Sequence, residues 1–272
     1  MDIIIDALID TLKLIPYLFL TFILLEFIEH KFSKKSNEIL IKNKKYGPLF
    51  GSILGALPQC GFGVASSNFF SSRIITMGTL IAVFLSTSDE MLPIMLSERV
   101  NILLILKIIL FKVIIGIIIG FIVDFIYKEK GNKVNIMCED CHCEENGIFI
   151  SSIIHTLKIS LFILIANLLI GTIIFYIGED NLSNLLLHKN IITYFISSLI
   201  GLIPNCAGSV ILTELYLSNM ITIGNLLAGL LTGSGLGILI LFRVNKNLKE
   251  NLIILSIIYF VGVIVGILVD LL

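Results

Sequence analysis

Charge is scarce in this chain. Of its 272 residues, 14% are Asp, Glu, Lys or Arg, while 57% are hydrophobic. A net charge of −1, with no basic patch on a soluble domain, carries no signal for nucleic acid. No Gly-x-x-x-x-Gly-Lys-[Ser/Thr] loop is present, so no nucleotide is expected as a partner. The five cysteines are split between apolar segments (Cys60, Cys206) and one polar loop, which excludes a disulfide framework. At the N-terminus, Asp2, Asp6 and Asp10 stand where a secretory signal carries basic residues, and the apolar run is too long for one.

What fills the chain instead is apolar. Ile3–Ile28, Ile102–Tyr127, Ile148–Ile177 and Leu252–Leu272 each exceed the ~18 residues that read as a membrane span. This composition predicts a multi-pass protein of the cell membrane, surrounded by lipid.

The apolar text is written twice. Gly55-Ala56-Leu57-Pro58-Gln59-Cys60 returns as Gly201-Leu202-Ile203-Pro204-Asn205-Cys206, a shift of 204 − 58 = 146 residues. The same shift carries Gly78 to Gly224, Ser88 to Ser234, Gly116 to Gly262, Gly120 to Gly266 and Asp124 to Asp270. Paired apolar units, each interrupted by Pro, Cys and Gly, are the sequence mark of a secondary transporter with its site at the repeat interface.

The polar connectors set the expected topology. Lys31–Lys45 carries six lysines, and Arg243–Lys249 is also basic, so both are placed in the cytoplasm. With Lys128–Asn146 cytoplasmic and Gly178–Asn190 external, the first copy runs outside to inside and the second inside to outside. An odd number of crossings is then needed between Lys45 and Ser97, as three short crossings or as one crossing plus a re-entrant hairpin. The expected fold is an all-α polytopic membrane protein of two inverted repeats with Pro/Gly-broken helices. Each repeat has about five transmembrane segments. Residues 1–130 form repeat 1, 131–147 a cytoplasmic Cys/His-containing loop, and 148–272 repeat 2. Gly116-x-x-x-Gly120 and Gly262-x-x-x-Gly266 supply small faces for close helix packing.

Candidate site residues gather where the apolar text breaks. Proline removes a backbone donor, so a break is expected at Pro58 and at Pro204, and beside each lie an amide and a thiol: Gln59 with Cys60, Asn205 with Cys206. A kinked helix with an inert buried cysteine is the plainer reading of one such break; two in register point to a site. Ser86-Thr87-Ser88-Asp89-Glu90 places an acidic pair inside an apolar stretch, which is costly unless the pair is partnered, hydrated or protonated. Its counterpart, Thr232-Gly233-Ser234-Gly235, keeps hydroxyls and glycines but no acid. Hard oxygen donors of this kind suit a divalent ion such as Mn²⁺, whereas the thiols favour softer metals. The alternative puts Asp89 and Glu90 in water at an external helix end.

Lys112 lies in mid-helix, too far from either end to snorkel with ease, and is expected either to seek Asp89 or Glu90 as counter-charge or to reach an aqueous vestibule. A pair of that kind, opened by a cation or a proton, would couple exchange. Glu26, Glu29 and His30 cluster within about one turn as an inner mouth or an interfacial anchor. His155 and Lys158 read the same way, while Asn225 and Glu214 are weaker candidates. Cys138, Cys141, His142 and Cys143 crowd the central loop, either as a loose metal-binding group or as incidental residues of a solvated linker.

Taken together, these residues resemble the manganese transporter family, whose members are also described as ten-span heavy-metal exporters and sometimes labelled arsenic efflux proteins. The resemblance is carried by Leu25–His30, Leu57–Phe62, Ile75–Glu90, His155–Lys158 and Gly201–Cys206, and it covers nearly the whole chain. It implies an exporter of a metal ion, not an enzyme, with no resident cofactor. Members have a His- and Cys-rich central loop, and here that loop holds only His142. Two other functions remain open from the residues alone. One is an arsenic or organoarsenical permease coordinating through Cys60 and Cys206. The other is a membrane thiol oxidoreductase, for which these cysteines stand too isolated.

Overall fold

The computed structural model describes residues 46–57, 60–88, 91–127, 191–204 and 207–272, with scattered positions of one to three residues inside 12–23 and 149–172. All regular structure among these residues is helical. In the first copy lie α1 (Gly47–Gly55), α2 (Cys60–Ser71), α3 (Met77–Ser86), α4 (Met91–Ser97) and α5 (Ile102–Ile126). The second copy follows with α6 (Ile191–Gly201), α7 (Ala207–Leu217), α8 (Ile223–Thr232), α9 (Leu236–Val244) and α10 (Leu248–Leu271).

Four spans among the described residues are long and apolar enough to cross a membrane: Met77–Ser97, Ile102–Ile126, Ile223–Val244 and Leu248–Leu271. Two of them, α3 with α4 and α8 with α9, are interrupted helices, and 75% and 83% of their apolar windows are buried. For the continuous helices α5 and α10 the figures are 22% and 33%, so the unbroken helices face outward and shield the broken ones. The protein is an all-α membrane protein. α1 has 9 residues and α2 has 12, which at ~1.5 Å per residue is about half the thickness of a bilayer core for each. Between Lys45 and Ser97 the geometry is therefore two short helices plus one interrupted crossing.

Local chemistry explains where these helices start. Thr76 caps α3 by accepting from the Thr79 amide, and Thr222 caps α8 by accepting from the Asn225 amide. Asp124, from the end of α5, accepts from the Thr76 hydroxyl (2.7 Å) and the Gly78 amide (2.8 Å). In the second copy Asp270, from the end of α10, accepts from the Gly224 amide (2.9 Å), the Tyr194 hydroxyl (2.7 Å) and the Thr222 hydroxyl. A carboxylate at a helix N-terminus meets unpaired amides and the positive end of the dipole, worth about 1–2 kcal/mol when partly buried. The same spot brings backbones together. A Cβ added at Gly78 would stand 2.1 Å from the Gly120 carbonyl oxygen, and one added at Gly224 would stand 2.3 Å from that of Gly266. The glycine pairs of α5 and α10 are packing faces, as their spacing suggested.

Contacts repeat between the copies. α3 lies against α1 and α5, and α8 lies against α6 and α10 in the same way. Across the copies, α2 packs on α9 and α7 on α4. Two apolar cores result, and both draw on each copy. One holds Phe70, Leu80, Ile81 and Phe84 with Leu241, Ile254 and Ile258; the other holds Met91, Met95 and Ile108 with Ile211, Leu212, Leu226 and Leu227. Leu80 and Leu226, and likewise Ile108 and Ile254, are related by the shift of 146 and fall in opposite cores.

Candidate functional site

Four interruptions bound the candidate site. α1 ends at Gly55 and α2 starts at Cys60, on either side of Pro58, while α6 ends at Gly201 and α7 starts at Ala207, around Pro204. α3 stops at Ser86, where Thr87 turns out of the helix (φ −55°, ψ 128°), and α8 stops at Thr232, where Gly233 does the same (φ −70°, ψ 82°). Gly235 then sits at φ 52°, a left-handed backbone that glycine adopts without strain. Its register partner in the first copy is Asp89.

These interruptions meet. The Ser88 hydroxyl donates to the Ala56 carbonyl oxygen at 2.7 Å, tying the end of α3 to the end of α1 beside Pro58. In the second copy, Thr232 donates to the Ser198 carbonyl oxygen at 2.9 Å, tying α8 to α6. Between copies, a Cβ built on Gly63 would lie 3.4 Å from the Ser234 carbonyl oxygen, and Ser67 donates to the Gly237 carbonyl oxygen at 2.7 Å. The start of α2 thus leans on the start of α9.

Lys112, on α5, joins the remaining edge. Its side chain is fully buried, and its ammonium donates to the carbonyl oxygens of Thr87 and of Leu230, the latter at 2.7 Å. One partner belongs to each copy. Such donors to a charge contribute about 1.5–3 kcal/mol apiece, which offsets the cost of holding an ammonium away from water. The sequence called for a carboxylate beside this lysine. The acceptors found among the described residues are backbone carbonyls, and Asp89 and Glu90 lie outside those residues.

The candidate hydroxyls are buried. Ser86, Thr87, Ser88, Thr232 and Ser234 are each 3% exposed or less. Ser86 and Thr87 both donate to the Val83 carbonyl oxygen, at 3.0 and 2.8 Å, so their oxygens remain able to accept or to ligate. What the described residues offer a ligand is therefore hydroxyl and carbonyl oxygen. Among them no three His, Cys, Asp or Glu side chains come together. Gln59, Asn205 and Cys206 lie outside the described residues, as do Glu26, Glu29, His30, Cys138, Cys141, His142, Cys143, His155 and Lys158. So does the side chain of Cys60, whose backbone opens α2. The weaker candidates sit apart. Glu214 is exposed, and Asn225 is in the first turn of α8, away from the interruption.

One cluster was not anticipated. Arg73 donates from one guanidinium nitrogen, Nη2, to both Glu250 carboxylate oxygens (3.1 and 2.8 Å) and lies 5.2 Å over the Phe70 ring. Next to it, Ser71 donates to the Val244 carbonyl oxygen at 2.9 Å, and Asn245 donates to Asn251 at 2.7 Å and to Glu250 at 3.3 Å. This polar clasp binds the end of α2 to the α9–α10 connection. At the register partners of Arg73 and Glu250 stand Asn219 and Leu104, so the clasp exists once.

A profile of the family described as "Putative, 10TM heavy-metal exporter" matches residues 1–180 and again 144–272, together the whole chain. Comparison with curated proteins and with solved structures gives no match.

Proposed function

The chain belongs to that family of ten-span heavy-metal exporters, and from this premise we propose a secondary transporter of the cell membrane that carries a divalent metal cation such as Mn²⁺ outward by ion- or proton-coupled exchange. It is a carrier and not an enzyme. The observation that supports this reading most is the convergence of interrupted helices on buried oxygen donors, linked across the copies by Lys112. Backbone that leaves the helix at membrane depth is tolerated only where protein or a polar cavity satisfies it. Hydroxyl and carbonyl oxygens suit a hard cation better than a soft one. On this reading Asp89 and Glu90 supply negative charge, Gln59, Cys60, Asn205 and Cys206 line the same pathway, and Glu26, Glu29 and His30 form its inner mouth. The loop cysteines Cys138, Cys141 and Cys143 with His142 capture metal loosely.

We infer further that residues 1–130 and 148–272 are inverted repeats. Supporting this, Arg73 just ahead of α3 pairs with Glu250 at the start of α10, so α3 and α10 begin at the same end. α8 runs antiparallel to α10, since Gly224 at its start meets Asp270 at the far end of α10. α3 and its counterpart α8 then run in opposite directions. The end that carries Arg73, Arg243, Lys246 and Lys249 is the cytoplasmic one by charge.

Uptake of Mn²⁺, Zn²⁺ and arsenite into everted vesicles tests the substrate. Mn²⁺ accumulation driven by an ion gradient is the expected result, and accumulation of arsenite alone would replace this reading with an arsenic permease. Topology is checked separately with single-cysteine variants in the basic connectors. Lys42→Cys is expected to resist a membrane-impermeant thiol reagent in intact cells and to react once they are opened; labelling from outside would refute the assigned orientation.

A further inference from the structure

We propose that the Lys112 ammonium is a resident cation, occupying the carbonyl seat between the two interrupted helices, and that the transported cation must displace it to bind. This rests on the cation-transport reading and assigns Lys112 its part in it.

The seat is made by the interruptions themselves. In an uninterrupted α8 the Ser234 amide would donate to the Leu230 carbonyl oxygen. Here it donates to Thr232 at 2.9 Å, and the regular ladder ends with Gly233 donating to Gly229. Leu230 is thereby left with an uncommitted acceptor, which the Lys112 ammonium takes at 2.7 Å. Thr87 lies one residue past α3, and its carbonyl oxygen accepts from the same ammonium. Two carbonyl oxygens released by broken helices are the donor type that replaces a cation's hydration shell in membrane pores. A Cβ added at Gly233 would stand 3.4, 3.5 and 3.8 Å from the carbonyl oxygens of Gly229, Leu230 and Gly201, so the immediate neighbourhood is rich in the same ligand.

The copies differ at this point. The register partner of Lys112 is Ile258, also fully buried, so one fixed positive charge serves both copies. The ammonium bonds one copy through Thr87 and the other through Leu230, so opening the interface requires it to let go of at least one. A lysine suits such a role because its charge rides on a flexible four-carbon stem and can swing aside without leaving the protein. With the substrate absent, the ammonium keeps the carbonyls satisfied; with the substrate bound, the displaced ammonium repels it and hastens release.

The test uses the full chain in lipid nanodiscs and in everted vesicles, with Mn²⁺ as the probe and Zn²⁺ beside it. Lys112→Met removes charge and donors together. Lys112→Gln removes the charge but keeps an amide that can still donate, so it preserves the bridge and guards against misfolding of the first variant. Both are expected to bind Mn²⁺ at least about tenfold more tightly while turnover falls at least about tenfold, the opposed shifts of binding and rate that mark a displaced competitor. Lys112→Arg, which restores charge and donors, is expected to recover part of the release rate. A folded Lys112→Gln protein whose binding and turnover are both unchanged, or both lost together, overturns the proposal. Wild type that binds neither metal overturns the cation-transport reading itself, and this proposal with it.

Discussion

Manganese export is expected to fall at least about a hundredfold in Asp89→Asn, with the protein still inserted in the membrane. Ser88, just before Asp89 in sequence, is 1% exposed, and Met91, just after the acidic pair, is fully buried. At the register partner stands Gly235, and the second copy has no acid at its interruption. In the sequence, the acids at this pair of interruptions are Asp89 and Glu90. Asn keeps the size and one oxygen but removes the charge, so packing survives while attraction for a divalent ion does not. Cys60→Ser and Cys206→Ser are expected to lower Mn²⁺ transport only a few-fold, because a hydroxyl oxygen is an acceptable hard ligand. Everted-vesicle uptake distinguishes the cases. Normal transport by Asp89→Asn, together with a Cys60→Ser protein dead only toward arsenite, would remove manganese from the account.

The second large effect is on folding. Gly78→Ala puts a methyl group 2.1 Å from the Gly120 carbonyl oxygen and 2.5 Å from the Asp124 carboxylate. Neither can rotate away, since one is backbone and the other is held by Thr76 and the Gly78 amide. α3 and α5 must separate, breaking the carboxylate cap as well as the close contact. A cost at or above the upper end of ordinary overpacking, about 3 kcal/mol, is expected. Gly224→Ala meets the same obstacle at Gly266 and Asp270 and should cost a similar amount. Gly63→Ala is the matched control, because its nearest contact is 3.4 Å and needs no movement. Melting of purified protein in detergent is expected to drop by roughly 5 °C or more for the first two and to stay nearly constant for the third. Equal melting temperatures for all three would refute the close approach of these helices.

Much of the architecture could be read from residues because interruptions leave compositional marks. Pro204, the hydroxyls of Thr87 and Ser88 and the glycines at 233 and 235 all lie outside the regular helices, where the register had placed them. The glycine pairs of α5 and α10 were legible for the same reason: a missing side chain on a helix face has few uses besides close packing. The carbonyl partners of Lys112 were not legible. A sequence shows that a buried ammonium needs acceptors, but backbone carbonyls are present at every residue, and only the path of the chain tells which are released. Asp124 and Asp270 were seen in register without their purpose, since a cap supplied from a different helix leaves no local motif. The Arg73–Glu250 clasp spans 177 residues and has no counterpart in the other copy, so neither periodicity nor repetition could announce it.

The exchange of partners between the copies has a consequence for how the protein is made. α2 rests on α9, with hydrogen bonds joining residues 170 and 173 positions apart. When α2 leaves the ribosome, the surface it needs has not yet been translated. Its buried serines, Ser66 and Ser67, and Asn68 must wait in the translocon or the bilayer until residues beyond 236 arrive. Nascent chains cut short between the copies would thus present polar helices to lipid, a natural signal for membrane quality control. The reverse also follows: two polypeptides divided in the central connector, synthesised together, hold every helix needed to complete one another.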